Sequence, residues 1–308
     1  MLGVYFMKDR IFWCLLFLIG VSWIANNIYA HSKKLDEPIF LDHYVDTTLQ
    51  EDVYLPLYYL ANLHDTTTIS YVTIHGIPNY VIRDNFYCNF GSNYDAEHNQ
   101  NLQIFTHHAL RNIQLQLNTF ELENLLQDGQ FTFNEIEVFF SDGKNMTVPI
   151  GEITVHADHS NYDSDVLNFI SGSSSSDGSS KSTFRVTEGL SIENIMFKYD
   201  DLLRDKLLIK INSQNQLTSD DISNTTHTQG WTDVPGIDLQ NIHLPYELEK
   251  DEMLYIHTQI LPELTYYINS MIIFSGTTKT GETFTFSNWL INEQPYLSQK
   301  DVNKLIKK

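Results

Sequence analysis

The chain is short of cysteine, of basic charge and of catalytic signatures, and each shortage removes a class of protein. It has two cysteines in 308 residues, Cys14 and Cys88. Cys14 sits inside an apolar N-terminal run, so Cys88 stands alone beyond it and no intramolecular disulfide can form there. Eukaryotic secreted domains usually carry paired cysteines, so the exterior of a bacterial cell fits better than a eukaryotic secretory route. The glycosylation sequons at Asn145 and Asn224 then read as chance matches in a chain rich in Asn and Thr. Residues 85–90 around Cys88 hold no Lys or Arg to lower a thiol pKa, which marks it as inert.

Basic residues number 19 against 39 acidic ones, a net charge of −20. Residues 1–30 account for Lys8, Asp9 and Arg10, so the rest of the chain carries 17 basic and 38 acidic residues, a charge of −21. Nucleic-acid binding is excluded, because phosphate contacts need clustered Lys and Arg that displace counterions. An acidic surface instead favours solubility and association with cations, and it is repelled by anionic lipid headgroups.

No Gly-x-Ser-x-Gly elbow, His-Glu-x-x-His helix or glycine-rich phosphate loop occurs, and fourteen glycines are few. Nothing in the pattern calls for a cofactor. Twelve histidines prompt a search for metal ligands, and the tightest cluster is His156, Asp158 and His159. On an extended strand His156 and Asp158 share a face while His159 points away, so the three form a candidate site only if the chain turns there. Asn161, Asp163 and Asp165 alternate as in a calcium loop but lack its Gly and distant Glu. Polar residues leading into a loop account for these positions as well as a metal does. His107 and His108, being adjacent, face opposite sides of a strand, one in and one out.

What the sequence does have begins at its N-terminus. Lys8, Asp9 and Arg10 precede residues 11–25, whose only polar member is Ser22. A cleaved signal needs an apolar stretch of about 7–15 residues and a membrane span about 20, so this run sits on the border. Cleavage after Ala30 would put Ile28 where a small residue is preferred, which favours an uncleaved single-pass anchor over a secreted product. The expected location is therefore the cell membrane, with the bulk of the chain outside.

The remainder reads as β. Ile113, Leu115 and Leu117 alternate, as do Ile136, Val138 and Phe140, and Asp142-Gly143 after the second run is a strong hairpin signal. Pro149 in the return strand points to an edge or a bulge. Residues 192–199, 207–211, 253–260, 270–274 and 283–286 repeat the habit, with a turn at 278–281. Residues 120–127 suggest a short helix ended by Gly129. The run 133–141 resembles 267–275, each an apolar strand ending in Phe-Ser, as a duplicated domain would give and as any two hairpins built by the same rules would give too. A Ser/Gly tract at 171–182 has the composition of a flexible linker between two domains, or else of a long mobile surface loop within one larger β-domain.

The expected architecture is mainly β: two antiparallel β-sandwich domains, immunoglobulin-like in outline, after a transmembrane or signal segment. Residues 1–30 form that segment, 31–165 the first domain, 166–182 the linker and 183–308 the second domain. Aromatic loops around Tyr54, Trp231 and Trp289 are candidates for contact with a protein or glycan, or else for the core. The function that follows is a non-enzymatic binding or accessory module of the bacterial cell envelope. Its partners are the membrane, through the N-terminal segment, and a protein or cell-envelope component. The alternative is an extracytoplasmic hydrolase of envelope polymer, metal-dependent through His156, Asp158 and His159 or built on paired carboxylates that leave no short motif.

Overall fold

A computed structural model describes residues 2–49, 53–82, 101–157, 165–175, 178–213, 230–261 and 264–307. The N-terminal run forms a single helix, α1 (Leu2–Ser32). Its apolar part, Phe12–Ser32, is 21 residues long, and none of its most apolar window is buried against the protein. At 1.5 Å per residue it spans about 30 Å, the thickness of a hydrocarbon core. The helix ends on the first β-unit. His108 Nε2 meets the Lys33 carbonyl at 2.8 Å, and the backbone N–H and C=O of Leu35 both bond the Asn62 side chain, each at 2.8 Å.

The first β-unit is built from β1 (Ile39–Phe40), β2 (His43–Thr48), β3 (Tyr54–Asn62), β4 (Ile69–Ile74), β5 (Ile77–Ile82), β6 (Asn101–Ile104), β7 (His108–Gln116), β8 (Gln130–Phe140) and β9 (Asn145–His156). They form one sheet in the order β1-β3-β7-β5-β4-β8-β9-β2, with β6 also on β7. The sheet curls so that Leu57, Leu60, Leu110 and Leu115 bury against Ile136, Val138, Ile150 and Ile153. The Asp-Gly signal is the β8–β9 turn, where Gly143 takes φ +84°, a left-handed value that glycine adopts without strain. Pro149 lies next to the β8 bulge between Phe133 and Glu135, at a point on β9 that β2 does not reach. The short helix is α2 (Thr119–Leu122), capped by the Asn118 side chain and prolonged by one 3-10 turn.

The second unit comprises β10 (Leu167–Ser174), β11 (Ser179–Val186), β12 (Leu190–Phe197), α3 (Asp200–Leu203), β13 (Leu207–Ser213), β14 (Ile237–Asp238), β15 (Tyr246–Leu248), β16 (Met253–Ile260), β17 (Tyr267–Thr278) and β18 (Thr283–Glu293). It is a two-sheet sandwich. The sheet β10-β11-β16-β13-β14 faces β15, β12, β17 and β18 across Phe184, Ile256, Ile211, Leu190, Phe274 and Phe286. The protein is thus mainly β, with two sandwich-like units of mostly antiparallel strands after an apolar N-terminal helix.

Three features depart from the sequence reading. The Ser/Gly tract is no linker in this structure: Gly172 to Ser174 on β10 pair with Ser182 to Ser180 on β11 in an edge hairpin. Backbone hydrogen bonds do not depend on side-chain composition, so a sheet edge can hold a segment that contributes little apolar area. Secondly, β2 lies parallel to both β9 and β17 and joins the two units into one continuous sheet. Gly151 permits this: it has φ +88°, and a Cβ there would meet the His43 backbone nitrogen and oxygen at 2.6–2.7 Å. Thirdly, the similar runs at 133–141 and 267–275 occupy different places, since β8 lies between β4 and β9 while β17 pairs with β2, β12 and β18. A last helix, α4 (Gln299–Leu305), returns to the first core through Val302, Leu305 and Ile306.

Candidate functional site

Of the proposed metal ligands the structure describes His156 alone. Asp158 and His159 lie outside the described residues, as does Cys88. His156 is on β9, with Nε2 2.7 Å from Oδ1 of the buried Asp46 on β2. No group of three His, Cys, Asp or Glu side chains fit to hold a metal occurs among the described residues. His107 is half-buried and His108 buried, the latter spent on the end of α1.

The Asp46–His156 pair belongs to a seam between the units. Tyr44, Asp46 and Thr48 of β2 stand beside Glu152, Thr154 and His156 of β9, on the face opposite the first core. The second unit covers this face. Lys198 bonds Glu152 at 3.0 Å and also Thr154, and Tyr44 packs edge-on to Tyr199 and Tyr266. The Tyr199 hydroxyl lies 2.9 Å from the Val45 carbonyl and 3.2 Å from that of Glu152. Burial, and then the nearby Asp46 and Glu152 charges, push its pKa far above the ordinary tyrosine value, so it stays a hydrogen-bond donor. These groups clasp the two units together.

A more open arrangement surrounds Trp231. The outer face of β13 and β16 should be wet by strand alternation, yet Lys210 and His257 are buried there. The segment from Trp231 to Asp238 covers Lys210. The Lys210 ammonium donates to the Trp231 and Val234 carbonyls at 2.9 and 2.8 Å and sits 5.2 Å from the centre of the indole. Burial, together with the Lys181 and Lys210 charges, pushes the His257 pKa down to about 4.

Between this cover and α3 runs a groove of about 630 Å³. Leu207, Leu208 and Ile209 contribute its apolar lining, with Trp231, Asp238, Gln240 and Asn241 on the cover and Asp200, Arg204 and Asp205 beside α3. Arg204 is held by Asp201 and, at 3.9 Å, by Asp200. An indole beside amides, carboxylates and a guanidinium can stack on a flat apolar face and trade hydrogen bonds with hydroxyls around it. Sequence reading singled out Trp231 and missed the rest. The acidic run at 200–205, with Arg204 one helical turn after Asp200 and Asp201, was the available signal. Of the other aromatic candidates, Tyr58 and Tyr59 are core residues and Tyr54 is exposed, while Trp289 lies on β18 opposite Met271.

No family model and no curated protein matches the chain. Among solved structures, the collagen adhesin from S. aureus aligns over 83% of this chain and 92% of its own at 8% identity, with a TM-score of 0.20. The C-terminal domain of the Streptococcus pyogenes antigen I/II-family protein AspA aligns over 82% and 99% at 6% identity, with a TM-score of 0.17. At such scores nothing about ligand or partner carries over.

Proposed function

We propose that the protein is a membrane-tethered, non-enzymatic binding module of the bacterial cell envelope, that α1 is its anchor, and that the Trp231 groove receives a glycan of that envelope. The observation that carries this reading is the pairing of an unburied 21-residue apolar helix with a β-body whose open groove combines Trp231 with the exposed amides of Gln240 and Asn241. The most apolar window of the helix is not buried against the protein, and lipid supplies an apolar surface for it. Sugars present flat C–H faces and rings of hydroxyls, which suit an indole and polar side chains of both signs. The scarcity of cysteine supports a bacterial exterior. The two units, each with its own core, are the domains of this module and meet at the seam.

The test is an array of soluble cell-wall glycan fragments probed with the detergent-solubilised full chain. Saturable binding to some fragments is expected, weakened about tenfold or more by Trp231→Ala, as removal of a central aromatic anchor does. Gln240→Ala and Asn241→Ala, at exposed positions, should weaken the same fragments without altering the fold. No saturable binding across the array, or binding unchanged in all three variants, would sink the groove assignment.

A further inference from the structure

We infer that the end of the first β-unit where α1 leaves it is a seat for anionic lipid headgroups, formed by a lysine stripe on α4. The inference rests on reading α1 as the membrane anchor. Charge distribution is the first observation. Six of the 17 basic residues beyond residue 30 are Lys33, Lys34, Lys300, Lys304, Lys307 and Lys308, and the segments 33–34 and 299–308 contain one acid, Asp301. The remaining chain holds 11 basic residues against 37 acidic ones. The basic residues are therefore concentrated in two segments far apart in sequence, the first followed directly by the exposed acids Asp36 and Glu37.

The fold brings those segments to one place. Thr106 N–H donates to Gln299 Oε1 at 3.3 Å, at the start of α4. The His107 ring meets Tyr29 of α1 edge-on, and His108 bonds the Lys33 carbonyl. Three consecutive residues thus touch the end of α1 and the beginning of α4. Gln103 fixes the approach from the other side, accepting from Leu297 N–H at 2.9 Å. On α4 and the turn that follows it, Val302, Leu305 and Ile306 face the core, while Lys300, Lys304 and Lys307 are exposed at spacings of four and three. Asp301 among them is held in the capping box with Ser298, which keeps it ionised, so it offsets one of the positive charges and leaves the stripe basic on balance.

Exposed apolar groups flank the stripe. Ile104 on β6 and Tyr296 just before α4 are each 67% exposed. Lysines with apolar and tyrosine neighbours beside a helix exit are the composition that the headgroup layer of a bilayer selects. An anionic leaflet attracts each such lysine and repels the acidic bulk, so the same field that seats this end holds the rest of the molecule away. The consequence is an ectodomain whose acidic bulk stands away from the lipid surface.

The full chain, reconstituted in phosphatidylcholine vesicles with and without phosphatidylglycerol, is treated with acetic anhydride, and acetylation is read at each lysine by mass spectrometry. Lys300, Lys304 and Lys307 should react about threefold more slowly on the anionic vesicles and recover at high salt, as screened headgroup contacts do. Lys250 and Lys279, in the second unit, serve as references that should not change. Hydrogen exchange in 102–107 should slow in parallel, and lose that protection when Lys300→Gln, Lys304→Gln and Lys307→Gln are combined. Equal labelling on both vesicle types, in chain that floats with both and resists alkaline extraction, overturns the seat and leaves the anchor standing. Chain that floats with neither overturns the anchor and the seat with it.

Discussion

The two β-units solve the same problem differently. The first curls one sheet around its own core, and its strands are extended by hairpins whose turns carry glycine at positive φ. The second packs two separate sheets and then buries part of an outer face under the segment that carries Trp231. A curled sheet offers its outer face to a neighbour, and here that neighbour is the second unit. A sandwich with a covered outer face gains a border between cover and edge, and the groove lies on that border. Position for binding thus comes from an addition to the sandwich rather than from the sandwich itself.

The comparison breaks most severely at Gly151, where the units share a sheet. Gly151→Ala introduces a side chain at φ +88° and a Cβ inside contact distance of the His43 backbone. Backbone cannot withdraw as a flexible side chain does, so β2 must shift from β9. The expected loss is about 3 kcal/mol or more, toward the upper range for single substitutions. Chemical denaturation of the full chain checks it, and a change under about 1 kcal/mol would show that β2 tolerates displacement. A control at Gly143, also at positive φ but with open space around its Cβ, separates strain from clash.

Acid should affect both units through one buried imidazole in each. His43 is fully buried, with Nε2 accepting from Tyr58 N–H at 2.9 Å, and burial pushes its pKa down to about 4 against the opposing pull of the Leu41 and Ile150 carbonyls. His257 is lowered to about 4 as well. Both folded values lie below the ordinary 6.5, so the unfolded chain binds protons first as pH falls. Stability from these groups is present above about pH 6.5 and is lost progressively down to about pH 4, roughly 3 kcal/mol for each. Urea midpoints at pH 7, 6, 5 and 4 should drop accordingly. His257→Gln should flatten the curve in part; a curve of unchanged steepness would remove His257 from the account.

Strand identity was legible because one-sided burial writes a period of two into the sequence. Ile136, Val138 and the Asp-Gly turn sufficed to place β8 and β9, and 253–260 coincided with β16. What sequence could not show was pairing between distant strands. Nothing in His43 to Thr48 announces a strand parallel to two others, since parallel neighbours leave no turn between them. The Ser/Gly tract misled for a related reason, as its order comes from β11 and β16 rather than from its own side chains. At the groove, Trp231 was visible as an isolated aromatic, but the partners that give it a setting arrive from α3 and from residues 238–241 through tertiary contact.

The smallest expected effect tests whether the seam couples the units. Tyr199→Phe removes one hydroxyl and keeps the ring that packs against Tyr44. The carbonyls of Val45 and Glu152 then lose a donor, yet both belong to strands whose backbone ladders remain. Loss of one buried hydrogen bond costs about 1 kcal/mol, so the full chain should still fold. The informative readout is the shape of the unfolding transition. If Tyr199, Lys198 and Tyr44 hold the units together, wild type unfolds as one cooperative event, and the variant broadens or splits toward two. The shared strand β2 opposes that outcome, because it pairs with both units whether or not the hydroxyl is present. A variant that stays sharp while its midpoint falls by about 1 kcal/mol would assign the coupling to β2, and leave the seam as packing on a joint already made by the sheet.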